Sequence, residues 1–139
     1  MTWKELVDKY VMADGSIVSH APLLAADIII AYNAQGVISN GGFAYFFEAD
    51  FPAKTYRQVS ESFFRLGLRE HSVMIDQMLA LFPNGEPDPD LNARVIFIEK
   101  RFGWDRDSER NSDVKSVDTY FWDRSEKTYA HLDRLAATL

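Results

Sequence analysis

The sequence predicts an all-α fold: a single domain over residues 1–139, packed as a compact bundle of about seven helices. Three observations predict it. Apolar residues recur at three- and four-residue spacing in segment after segment, which puts them on one face of a helix. Glycine, proline or short polar clusters separate those segments at short intervals. No stretch alternates polar and apolar residues between hairpin turns, as a half-buried strand would. A hydrophobic fraction of 47%, with 26% charged and 14% aromatic residues, supplies core material for one domain and excludes a disordered chain.

The first helix begins at Thr2-Trp3-Lys4-Glu5, a capping box in which the Thr2 hydroxyl accepts from a first-turn amide and Glu5 reaches back. Trp3, Leu6, Val7, Tyr10 and Val11 share one face, and Asp14-Gly15-Ser16 turns the chain. A second helix follows Ala21-Pro22 over residues 23–35, with Gly36 expected to take a left-handed cap. Ile28-Ile29-Ile30 alone would suit a buried strand. However, Leu24, Ile28, Ala31 and Gln35 line one helical face, and the segment exceeds strand length.

Asn40-Gly41-Gly42 breaks the chain, and a short aromatic helix is expected over residues 43–48. Residues 53–66 set Tyr56, Val59, Phe63 and Leu66 opposite Lys54, Arg57, Glu61 and Arg65, the clearest amphipathic pattern in the chain. Gly67 separates this helix from a partner carrying Leu68, Ile75, Met78, Leu79 and Phe82, which ends at Pro83-Asn84-Gly85. Asp88-Pro89 reads as an N-cap with proline in the first turn, followed by the stripe Leu91, Val95, Ile98 and Phe102. Residues 103–113 have the composition of an exposed loop. One long final helix is expected from residue 114, with Val117, Phe121, Thr128, Leu132, Leu135 and Leu139 broadly on one side.

Reactive constellations are sparse. The absence of cysteine excludes disulfides, iron–sulfur clusters, thiolate zinc sites and thiol nucleophiles. His20, His71 and His131 never pair at ligand spacing, so no metal is expected, and no cofactor signature occurs. There is no G-x-S-x-G elbow or phosphate-binding glycine loop, and no catalytic residue stands out. The carboxylate pairs Glu48/Asp50 and Asp88/Asp90 occupy turn or cap positions, where acids serve local roles. Asn40-Gly41-Gly42 at a helix start offers amides to an anion, although a tight corner is the more ordinary reading.

Fifteen basic and twenty-one acidic residues leave a net charge of −6, which argues against direct binding to nucleic acid. Lys54, Arg57, Arg65 and Arg69 come closest to a positive stripe, but Glu61 interrupts it. Met1-Thr2-Trp3-Lys4-Glu5 lacks the basic and apolar regions of a secretion signal, and no apolar run approaches the ~20 residues of a membrane span. A cytoplasmic protein with no membrane partner is expected. Phe43, Tyr45, Phe46 and Phe47 lie too close together for all to face inward on one short helix, so at least one is expected at a groove or subunit contact. Tyr120-Phe121-Trp122 poses the same problem: with Phe121 in the core, one neighbour is displaced outward.

Ser39-Asn40-Gly41-Gly42-Phe43-Ala44-Tyr45-Phe46-Phe47 resembles the N-G-G-F aromatic signature of the DNA mimic protein 19-like family of small bacterial helical proteins. Phe64-Arg65-Leu66-Gly67, the run from Leu81-Phe82-Pro83 to Gly85-Glu86-Pro87, and Asp118-Thr119-Tyr120-Phe121 extend the resemblance in order, while Glu48 stands where that pattern more often has an amide. The resemblance implies an all-helical protein that is often a homodimer. In one branch it implies mimicry of duplex DNA, with acidic side chains occupying a helix–turn–helix repressor.

Duplex DNA carries one charge per about 1.7 Å of axis, so a mimic needs densely arrayed carboxylates. The candidate acidic surface is Glu86, Asp88 and Asp90, then Asp105, Asp107, Glu109 and Asp113, with Arg106 and Arg110 cutting through the second group. The leading expectation is a non-enzymatic interaction protein with a protein partner, in its sharpest form a DNA-binding regulator. The alternatives are a small-molecule-binding protein or hydrolase with its site at Asn40, Gly41, Gly42, Phe43 and Tyr45, or an immunity protein that antagonises a toxin.

Overall fold

In the computed structural model, which describes residues 1–49, 55–102 and 112–139, seven α-helices follow one another. They are α1 (Trp3–Tyr10), α2 (Leu23–Glu48), α3 (Tyr56–Arg65), α4 (Arg69–Leu79), α5 (Leu91–Phe102), α6 (Ser112–Asp123) and α7 (Ser125–Ala136), with a single 3-10 turn at Pro83–Gly85. The extended structure among the described residues is one isolated antiparallel bridge, Val11 to Ile17, which closes the Asp14-Gly15-Ser16 turn. No described helix is long and apolar enough to cross a membrane.

Helix α2 is the axis of the bundle: α1, α3, α5, α6 and α7 all pack on it. That position explains Ile28-Ile29-Ile30, three consecutive buried residues. A helix surrounded by others is apolar all round and loses the one-sided periodicity of a surface helix. Gly36, expected as a cap, lies inside α2. A β-carbon there would stand 3.4 Å from the Tyr129 hydroxyl, an ordinary contact, so this glycine neither ends the helix nor is demanded by its neighbours.

The capping box of α1 forms, with the Thr2 hydroxyl accepting from the Glu5 amide at 3.2 Å and the Thr2 amide donating to Glu5 at 2.7 Å. The pair α3 and α4 forms around Gly67, whose φ of 79° is the left-handed turn that separates them. Two boundaries differ from expectation. Helix α5 is capped by Asp90, which accepts from the Ala93 amide at 2.9 Å, while Asp88 accepts from Asp90 one step earlier. The single C-terminal helix is two, because the chain bends at Arg124 (φ −103°, ψ 4°) so that α6 and α7 each reach α2. The Arg124 guanidinium folds back over the Tyr120 ring at 4.0 Å and donates to the Tyr120 carbonyl, taking up an acceptor that the end of α6 leaves free.

The core is aromatic at its centre. Phe43, Phe46, Phe47, Phe63 and Phe121 are fully buried, and Phe43–Phe121 and Phe63–Phe121 meet edge to face at 5.4 and 5.9 Å. Burial of a charge tightens the α2–α3 contact. Asp27 is held by Arg65 through two bonds of 2.7 and 2.8 Å and by the Ser62 hydroxyl at 2.8 Å. Arg65 is thereby committed within the fold, and the sequence's positive stripe loses a member; Lys54 lies outside the described residues.

Candidate functional site

Helix α2 runs through Asn40 and Gly41 and bends at Gly42, the last residue of the Asn-Gly-Gly triplet expected to break the chain. Gly42 has φ 75° and ψ −173°, a region essentially restricted to glycine. Gly41 is required for a different reason: a β-carbon there would lie 2.5 Å from the β-carbon of Tyr45. The bend frees the Phe43 amide, which donates to the Asp118 carboxylate of α6 at 2.8 Å. The anion at this helix start is therefore supplied from within the chain.

Beyond the bend, Phe43, Phe46 and Phe47 face the core and Tyr45 faces outward, 43% exposed. Asn40 is exposed as well. The same division holds for the second triplet: Phe121 is fully buried, Tyr120 nearly so, and Trp122 is 66% exposed. Glu48, in the last turn, has a buried carboxyl oxygen without a hydrogen-bond partner among the described residues. Burial, then the neighbouring Glu99 charge, holds its carboxyl above the usual range.

The aromatic segment is tied to the acidic loop by Arg94, a residue the sequence did not single out. Only 8% exposed, Arg94 donates from Nε to the Phe47 carbonyl at 2.9 Å and from a terminal nitrogen to the carbonyls of Asp88 and Pro89 at 2.9 and 3.0 Å. Tyr56 donates to the same Phe47 carbonyl at 3.0 Å. One guanidinium thus closes the end of α2 and pins the loop that leads into α5.

That loop presents the first acidic group. Glu86, Asp88 and Asp90 are all exposed. Their backbone is fixed by the 3-10 turn, by Asn84 in the left-handed region (φ 58°), by three prolines and by Arg94. A cleft of about 390 Å³ lies alongside, lined by Phe82, Pro83, Glu86, Pro87, Asp88 and Phe97 among others. Of the second acidic group, Asp105, Asp107 and Glu109 lie outside the described residues, and Asp113 belongs to the first turn of α6. Of the segment expected as a loop, residues 103–111 lie outside the described residues and residues 112–113 are helical.

A third cluster joins α4, α6 and α7. The Tyr120 hydroxyl lies 3.2 Å from both Glu70 and the His71 Nδ1, and His71 Nε2 lies 2.9 Å from the Thr128 hydroxyl. A carboxylate only accepts, so the phenol donates to Glu70, Nδ1–H donates to the phenol, and Nε2 accepts from Thr128. Burial, reinforced by the Arg124 charge, lowers the His71 pKa to about 4; burial, with the bond to Glu70, pushes Tyr120 up to about 12. A hydroxyl beside an imidazole is also how nucleophilic enzymes begin. Here the imidazole is a poor base near neutral pH, both its nitrogens are committed, and Thr128 is only 2% exposed. The cluster holds three helices together. A cleft of about 420 Å³ beside it is lined by Leu68, His71, Asp123, Arg124, Lys127 and Thr128.

His131 bonds to the Leu66 carbonyl at 2.7 Å and His20 is exposed on the turn before α2. Among the described residues no three His, Asp or Glu side chains are grouped so as to hold a metal ion.

A protein-family model described as DMP19-like protein matches residues 21–138, nearly the whole chain. Comparison with curated proteins and with solved structures finds no match.

Proposed function

This chain belongs to the DMP19-like protein family, and we propose that it is a non-enzymatic interaction module whose acidic surface binds the basic face of a DNA-binding regulator in place of duplex DNA. The observation that carries the reading is the loop bearing Glu86, Asp88 and Asp90, three exposed carboxylates on a backbone held by Arg94 and by the cap of α5. A fixed array of charge binds with little ordering cost, and it resembles a phosphate backbone in that respect. A net charge of −6 adds long-range attraction for a basic partner. The competing idea of a ligand site at Asn40, Gly41, Gly42, Phe43 and Tyr45 has less support. The Phe43 amide already serves Asp118, and the Tyr45 side chain fills the space over Gly41.

The test is affinity capture on the immobilised full chain from native extract at low and high salt, followed by competition with duplex DNA. Exposed charges are screened within about 8 Å at physiological ionic strength, so a mimic releases its partner as salt rises. Retention of a DNA-binding regulator that both salt and duplex DNA displace supports the reading. Retention indifferent to salt, or of a protein that duplex DNA does not displace, overturns it.

A further inference from the structure

We propose that the cleft between the loop at residues 83–89 and α5 receives an arginine side chain projected by a protein partner; this rests on the acidic-surface reading above and gives it a specific point of contact. One wall is apolar and the other polar. Phe82 and Phe97 stack on each other at 4.8 Å with their planes 30° apart, Phe82 buried and Phe97 half-buried, and the rings of Pro83, Pro87 and Pro89 extend this apolar side of the lining. The exposed carboxylates of Glu86 and Asp88 also line it. At about 390 Å³ the cleft lies at the low end of the roughly 300–1,000 Å³ of ligand pockets, a size for a side chain more than for a cofactor.

An apolar wall of half-buried Phe97 and proline rings with carboxylates beside it suits a guanidinium better than an ammonium. The guanidinium is planar, weakly hydrated, stacks on ring faces and matches a carboxylate with two parallel bonds, whereas the ammonium is a strongly hydrated point charge. The chain pairs its own arginines in this way, Arg124 over Tyr120 at 4.0 Å and Arg94 over Tyr56 at 5.8 Å. Arg94 also lines the cleft, with its nitrogens bonded to three carbonyls, so the lining holds two carboxylates against one guanidinium. The cleft is rigid before binding: Gly85 and Glu86 donate to the carbonyls of Phe82 and Pro83, and Asp88 accepts from Asp90.

The experiment titrates the isotope-labelled full chain with three capped tripeptides, glycine flanking arginine, lysine or citrulline, and follows the amide resonances. A longer arginine-rich helical peptide serves as a fourth probe. The arginine tripeptide is expected to shift residues 82–97, with lysine and citrulline each binding about tenfold more weakly. The double substitution Glu86→Gln and Asp88→Asn should weaken the arginine probe by about tenfold and leave the rest of the spectrum in place, because both side chains are exposed and an amide oxygen at position 88 still accepts from the Asp90 amide. Equal binding of the three tripeptides, shifts confined to other residues, or an undiminished response in the double variant would each overturn the cleft. If the long peptide then still binds with steep salt dependence elsewhere, the acidic-surface reading survives; if it does not bind at all, both fall.

Discussion

The segment from Gly41 to Phe47 and the loop from residue 83 to 90 are equally fixed, yet their polar groups point in opposite directions. At the glycine bend each strained or freed group is answered from inside the chain: Asp118 takes the Phe43 amide, while Arg94 and Tyr56 take the Phe47 carbonyl. At the loop, Arg94 and the cap of α5 hold the backbone while the carboxylates of Glu86 and Asp88 remain at the surface. Rigidity therefore does not by itself mark a site. What marks it is fixed geometry whose charge is left for a partner, and on that criterion the Asn-Gly-Gly-Phe segment builds the fold while the loop is the surface we propose for a partner.

If the bend is purely structural, breaking it should cost the most. Phe43→Ala empties a fully buried aromatic position and is expected to destabilise by about 3–5 kcal/mol in chemical denaturation. Gly42→Ala forces a side chain into a glycine-only conformation, with an expected loss of about 1–3 kcal/mol. A loss well below 1 kcal/mol for either would mean the segment is softer than described.

The next largest effect is set by pH. Unfolded, His71 titrates near 6.5; folded, near 4, so the unfolded chain binds the extra proton as pH falls and stability drops through that window. For so buried a group the loss approaches about 3 kcal/mol at most, with stability full above pH 6.5. His71→Asn should flatten this part of a stability-versus-pH curve measured by thermal unfolding; an unchanged curve would assign the acid sensitivity to another group.

Arg94→Ala sharpens the comparison because this residue serves both regions. It leaves the Asp88 and Pro89 carbonyls without their guanidinium donor, for an expected loss of about 2 kcal/mol, with faster amide hydrogen exchange in the loop. The smallest change is Glu48→Gln. The raised carboxyl pKa means that ionisation opposes folding above that pKa, so the amide should stabilise at neutral pH by less than about 1 kcal/mol and make no difference in acid.

Much of the fold was legible because local signals set it. The capping box at Thr2, the amphipathic face of α3 and the turn at Gly67 each depend on residues within a few positions. That at least one of Phe43, Tyr45, Phe46 and Phe47 faces outward was legible too, from helix geometry, although not that it is Tyr45. Partners far along the chain were not. Asp118 lies 75 positions from Phe43 and Arg94 47 from Phe47, and nothing local marks either pairing. Gly36 was misread because a glycine inside a helix and one at a cap look alike in sequence. The bend at Arg124 has no glycine or proline to announce it and arises from two helices packing on α2. The stripe on α5 missed Arg94 because a charged residue is buried only when distant carbonyls await it.

The central claim is that charge on the loop, not chemistry at the glycine bend, is what this protein offers to a partner. The most direct measurement is the salt dependence of the captured partner's affinity for the natural chain and for the Glu86→Gln, Asp88→Asn double variant, with unfolding midpoints measured alongside. The account predicts weaker binding and a shallower salt slope for the variant, with stability changed by less than about 0.5 kcal/mol. Identical affinities and identical slopes for the two proteins would contradict it.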